Sequence, residues 1–188
     1  MKNWLDLSFS STPLLAATFI VASLIGSFIL TGLDAVFGAL LAGVALWVAA
    51  VDLDRFEIPD IGSLAIFVLG LAWTFESSGM NGNLIGGTLV RSLLAAGLLF
   101  TVRATYLMVR NVEGLGLGDV KLAGAVASWL SWSHFTLALL VAVVAALIVV
   151  GLRAVIAGER VQPSTAVPFG AFLAPAAWVA WIAQVAGS

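Results

Sequence analysis

Two short polar segments hold the side chains able to do acid–base chemistry. They are Val51-Asp52-Leu53-Asp54-Arg55-Phe56-Glu57-Ile58-Pro59-Asp60 and Gly116-Leu117-Gly118-Asp119-Val120-Lys121. Asp52 and Asp119 each sit where an apolar run meets a polar stretch. A carboxylate at membrane depth is costly to desolvate, so it has a partner or a task. Two carboxylates held close together share a proton, because like charges in a low dielectric do not both ionise cheaply. The ionised one can take a proton from water while the protonated one polarises a peptide carbonyl. Such a pair titrates as a unit and needs no metal and no covalent intermediate.

Each segment also has a structural reading. Aspartate is a favoured helix N-cap, so Asp119 also suits the start of the helix that follows it. Gly116 and Gly118 permit backbone conformations closed to other residues and remove side chains that would block a peptide. Lys121 supplies a nearby positive charge. In the first segment Pro59 breaks the helix, since it lacks an amide donor and restricts the residue before it. The reading as solvated loop acids fits Asp54, Glu57 and Asp60 better than Asp52. Together with Glu113 they place acidic charge around the pair, suited to attracting a positively charged substrate segment.

The composition says what must position these residues. Of 188 residues, 62% are apolar and only 10% charged, against about 25% charged in an ordinary soluble domain. Mean hydropathy is +1.13. The expected fold is an all-α polytopic membrane protein, a bundle of about six to seven transmembrane helices forming one domain over 1–188, with the bilayer as solvent. The net charge of -2 provides no basic face for nucleic acid. With no cysteine and one histidine, His134, thiol nucleophiles, disulfides and multi-histidine metal centres are excluded. No metal or cofactor is expected.

Apolar runs near 13–31, 34–51, 62–77, 86–105, 119–132, 134–153 and 167–186 are the candidate spans, the third and fifth being short. The first is read as a retained span, since Lys2 is a weak n-region and no convincing cleavage site follows. With a cytoplasmic N-terminus, Lys2, Arg55, Arg103, Arg110, Lys121, Arg153 and Arg160 all fall inside, a strong positive-inside bias. Arg91 alone lies within a span, placed to snorkel or to pair with Glu76. Two spans separate Asp52 from Asp119, so both are expected on the cytoplasmic side. Small residues (Gly38, Ala42, Gly43, Gly70, Ala95, Ala96, Gly97) suit close helix packing. The tryptophans, including Trp4, Trp47, Trp73, Trp129 and Trp132, fall near span ends as in aromatic belts. The stretch from Gly82 to Gly87 reads as a flexible outer turn, and His134 as a helix-boundary residue.

The run from Glu113 through Gly116-Leu117-Gly118-Asp119 to Leu130 resembles the glycine-x-glycine-aspartate segment of type IV prepilin leader peptidases. The stretch from Asp52 to Asp60, with Ile58-Pro59 inside it, is similar to that family's other active-site segment. Val167-Pro168-Phe169-Gly170-Ala171-Phe172-Leu173 is similar to its C-terminal Pro-Phe-Gly span. The resemblance implies an intramembrane aspartyl protease of the bacterial cytoplasmic membrane, cleaving the short basic leader from prepilins or pseudopilins at the cytoplasmic face. It implies Asp52 and Asp119 as the catalytic pair and Gly116 and Gly118 as active-site glycines. Bifunctional members carry a cysteine-containing insert and also methylate the new N-terminus. Without cysteines, this chain looks like the short peptidase-only form found with tight-adherence (Flp-type) pili, and no methyl transfer is expected. Two other readings are a related intramembrane protease with a different substrate, and a small proton- or cation-coupled transporter.

Overall fold

The computed structural model describes residue 30 and residues 32–79, 81–112, 114–156 and 167–187. The expected first span, Leu30 apart, and Glu113 lie outside the described residues, as do Lys2, Trp4 and Arg160. Those described form helices joined by short turns, with no strand among them: α1 (Leu33–Arg55), α2 (Asp60–Ser77), α3 (Gly82–Arg110), α4 (Leu117–Val126), α5 (Trp132–Ile156) and α6 (Gly170–Ala186). This is an all-α polytopic membrane architecture. By length and composition α1, α2, α3 and residues 132–152 of α5 are able to cross a bilayer, and α6 is a shorter apolar helix.

The helices are apolar around their whole circumference, so side-chain size decides which face packs inward. The inner face of α1 carries Gly38, Leu41, Ala42, Ala45, Val48, Ala49 and Asp52, a repeat of three and four residues. Its outer face, with Leu33, Val36, Leu40 and Trp47, is exposed, as lipid-facing residues are. Glycines set the closest approaches: a Cβ on Gly38 would lie 2.7 Å from the Trp181 ring and one on Gly62 2.5 Å from Val48. Gly70 meets Ser128 closely enough that any side chain there would overlap it. Gly97, by contrast, faces open space.

Three sequence expectations change here. The fifth apolar run makes only the ten-residue α4, about 15 Å long at 1.5 Å per residue, half the bilayer core. Residues 127–130 leave the helix as turns and bends. Gly82 to Gly87 are helical, forming the first turns of α3, because Asn81 caps that helix by accepting the Asn83 amide at 3.1 Å. Of the tryptophans, Trp47 and Trp132 are exposed as a belt requires, but Trp129 is 1% exposed. Trp129 stacks on Trp73 at 5.9 Å and meets Trp181 edge-on at 5.4 Å. Its indole N–H donates to the Ile66 carbonyl at 2.8 Å, which allows burial of the polar end.

Candidate active site

Asp52 is placed by helical register. It follows Val48 and Ala49 on the inner stripe of α1 and is 4% exposed. Asp54, two positions on, points away, its side chain 62% exposed and its carboxylate 3.8 Å from Arg55. The helix stops at once: Phe56 adopts the left-handed conformation, φ 54°, and donates its amide to the Asp52 carbonyl. A non-glycine residue in that region costs about 1–2 kcal/mol. The turn sends residues 57–59 back across the end of the bundle, and Pro59 opens α2.

The Asp52 carboxylate lies against the N-terminus of α6. Its Oδ2 accepts the Ala171 amide at 2.8 Å, with the Gly170 amide beside it. Unpaired amides and the helix dipole at such an end favour a negative charge. A Cβ on Gly170 would approach that same oxygen to 3.1 Å, a tight contact that a shift of a few tenths of an ångström would accommodate.

Asp119 lies in the first turn of α4. Gly116 is the N-cap, and the Asp119 Oδ2 accepts the Gly116 amide at 3.2 Å. The capping role expected for Asp119 therefore exists, exercised from the third helical position and not from the cap itself. Burial pushes the Asp119 carboxyl up, the nearby Asp52 charge adds to this, and the Gly116 amide opposes it, leaving it at about 6. Gly116 has ordinary extended dihedrals, φ -68° and ψ 150°. The glycines are thus needed for space and not for unusual backbone: a Cβ on Gly118 would come within 3.0 Å of the Ile58 Cβ.

Both carboxylates line one cavity of about 1120 Å³. Its polar wall is Asp52, Glu57, Asp60 and the segment from Gly116 to Asp119. Its apolar wall is Val143, Ala146, Leu147 and Val150 of α5, with Val167 and Phe169 before α6. Of the expected rim acids, Glu57 and Asp60 line the cavity and Asp54 does not. Asp60 is joined to Lys121 through an exposed 2.7 Å ion pair, which ties the start of α2 to α4. Lys121 therefore holds two helices together and does not itself line the cavity. Among the described residues no group of three or more acidic or histidine side chains is arranged to hold a metal. His134 lies at the start of α5, its Nδ1 2.8 Å from Ser131 Oγ, as a helix-boundary residue would. Arg91 pairs otherwise than expected: its Nε donates to the Ala127 carbonyl at 2.8 Å and its Nη2 to Thr88 at 3.2 Å.

A family profile now bears directly on this cavity. That of the type IV leader peptidase family matches residues 39–151, which include Asp52, the Gly116–Asp119 segment and the α5 wall. The chain belongs to the type IV leader peptidase family. A prepilin leader peptidase/N-methyltransferase of Burkholderia pseudomallei is 33% identical over 144 residues, covering 74% of this chain and 43% of that protein. The protein of that name from Stutzerimonas stutzeri is 32% identical over 150 residues, 76% of this chain and 48% of the relative. The Aeromonas hydrophila protein is 28% identical over 149 residues, 77% and 49% respectively. The chain thus spans about half the length of the curated relatives it matches. No solved structure matches it.

Composition and motif reading missed what Ile58, Gly170 and Ala171 do. Pro168-Phe169-Gly170 was visible as a motif, but only folding shows that the amides beyond it meet Asp52, 119 positions earlier in the chain. The α5 wall carries no sequence signal beyond hydropathy.

Proposed function

We propose that this protein is an intramembrane aspartyl endopeptidase that removes the leader peptide from type IV prepilins or pseudopilins. The observation that carries the reading is the placement of Asp52 and Asp119 in one cavity with an apolar wall. In this mechanism one carboxylate takes a proton from water as the water oxygen attacks the scissile carbonyl carbon. The other, protonated, donates to the carbonyl oxygen. Collapse of the tetrahedral intermediate breaks the C–N bond, and the proton held by the first carboxylate goes to the leaving amine. The Ala171 and Gly170 amides hold Asp52 in orientation, and the apolar wall of α5 receives the hydrophobic helix of the substrate. Of the two activities in the relatives' name, this reading assigns the peptidase alone, because the profile match is to leader peptidases and includes both cavity aspartates.

The test is reconstitution with a candidate prepilin, following leader removal and the mass of the product in the presence of a methyl donor. Asp52→Asn and Asp119→Asn should each abolish cleavage, by at least about a thousandfold given the cost of losing one partner of an acid–base pair. Both should leave thermal stability at or above that of the unaltered protein. Full activity in either variant would remove the dyad, and a methylated product would extend the assignment to the second activity.

A further inference from the structure

Ile58 occupies an unusual seat. It belongs to the short turn between α1 and α2, is partly buried against the core, and lines the cavity. Two backbone segments close on it, at Gly118 and at Gly170. A Cβ on Gly118, the residue before Asp119, would lie 3.0 Å from the Ile58 Cβ. A Cβ on Gly170, whose amide borders the Asp52 carboxylate, would lie 2.5 Å from the Ile58 Cδ1 and 2.9 Å from its Cγ1. One side chain therefore fills the gap between the α4 N-terminus carrying Asp119 and the α6 N-terminus holding Asp52. Neither flanking residue has a side chain of its own to fill it.

We propose that Ile58 is a positioning residue: wedged between Gly118 and Gly170, it sets the spacing of the Asp119 helix from the Asp52 carboxylate. The inference rests on the assignment of these two aspartates as the reacting pair. Its physical basis is close packing, in which a void is closed by movement of its walls or left as lost contact. Among the described residues, the glycines that close on Ile58 belong to the two segments that carry the chemistry, so a void there borders both. A displacement near 1 Å at reacting groups costs up to about a hundredfold in rate.

The experiment measures kcat, KM and thermal midpoint for the full chain in bilayers with a prepilin substrate. Ile58→Ala should lower kcat about ten- to a hundredfold, with KM within about threefold. Ile58→Val, which keeps the branch at Cβ, should restore most of the rate. Gly170→Ala should be impaired because its methyl meets Cδ1. The double variant Gly170→Ala/Ile58→Ala should exceed Gly170→Ala, since the Cδ1 and Cγ1 atoms that the new methyl would meet are gone. Gly118→Ala should not be rescued by Ile58→Ala, because its clash is with the Cβ that alanine retains.

The proposal is overturned if Ile58→Ala keeps full kcat, or loses thermal stability with no selective loss of kcat. It is equally overturned if the double variant is no better than Gly170→Ala, or if Gly118→Ala is rescued as well. Failure of the unaltered chain to cleave would instead remove the peptidase reading, and this inference with it. An active chain whose Ile58 variants behave like the unaltered one removes the inference alone.

Discussion

Asp52 and Asp54 are two residues apart and chemically identical, yet only one faces the cavity. A two-residue step turns an α-helix by about 200°, so the register that buries Val48 and Ala49 carries Asp52 inward and Asp54 out. Asp119, across the cavity, is raised to about 6 by burial and by the Asp52 charge. The proposed mechanism requires one shared proton, so kcat/KM should fall as pH rises through the range near 6 to which Asp119 is raised, the two carboxyls titrating as a unit. The same shift affects stability. Between 3.8 and about 6 the folded chain binds more protons at Asp119 than the unfolded one does. Its stabilising contribution is complete below 3.8 and is lost as pH rises through about 6. Asp119→Asn should therefore raise the thermal midpoint above that pH and flatten its dependence. A pH–rate profile flat across this window would contradict the shared-proton state.

At the scale of elements, α4 is the unusual one. A ten-residue helix ends inside the bundle, where its last carbonyls lack intrahelical partners and a bilayer supplies none. Arg91 answers part of this, donating from α3 to the Ala127 carbonyl at the C-cap. Its positive charge also lies at the favourable end of the helix dipole. The Lys121–Asp60 ion pair ties the opposite end to α2; being exposed, it contributes at most about 1 kcal/mol. Arg91→Leu leaves a buried carbonyl unpaired, at a cost of about 1–3 kcal/mol. The expected result is a thermal midpoint several degrees lower, with a reduced cleavage rate although no cavity residue is changed. An unchanged midpoint would mean that the half-helix does not depend on this cap.

At the scale of the molecule, the ends that carry the site gather on one side of the bundle. Phe56 to Asp60 and Gly116 to Asp119 line the cavity, and the amide of Ala171 in α6 reaches Asp52. The arrangement follows from alternating helix directions, and the bias of Lys and Arg toward this side predicts that the cavity opens to the cytoplasm. The chain has no cysteine, so single replacements report topology cleanly. Glu57→Cys should resist an impermeant thiol reagent in intact cells and react after lysis, whereas Ser133→Cys should react in intact cells. The reverse pattern would invert the orientation.

Hydropathy alone was enough to determine a polytopic helical membrane protein, because apolar runs in a bilayer have only helices or closed barrels available to satisfy their backbones. The two aspartates and their motifs were equally legible, since so few other groups in the chain can do chemistry. Composition could not show how far each run continues as helix. Thus the apolar stretch after Asp119 became a short helix and a turn, and the glycines at 82–87 became helical under a cap. Nor could it separate lipid-facing from buried tryptophans, because both environments are apolar. Contacts across the bundle were the least legible of all. The Ala171 amide at Asp52, Ile58 between two glycines and Arg91 at the end of α4 join residues far apart in the chain. Which of them meet is decided by close packing in three dimensions, and no local pattern encodes that.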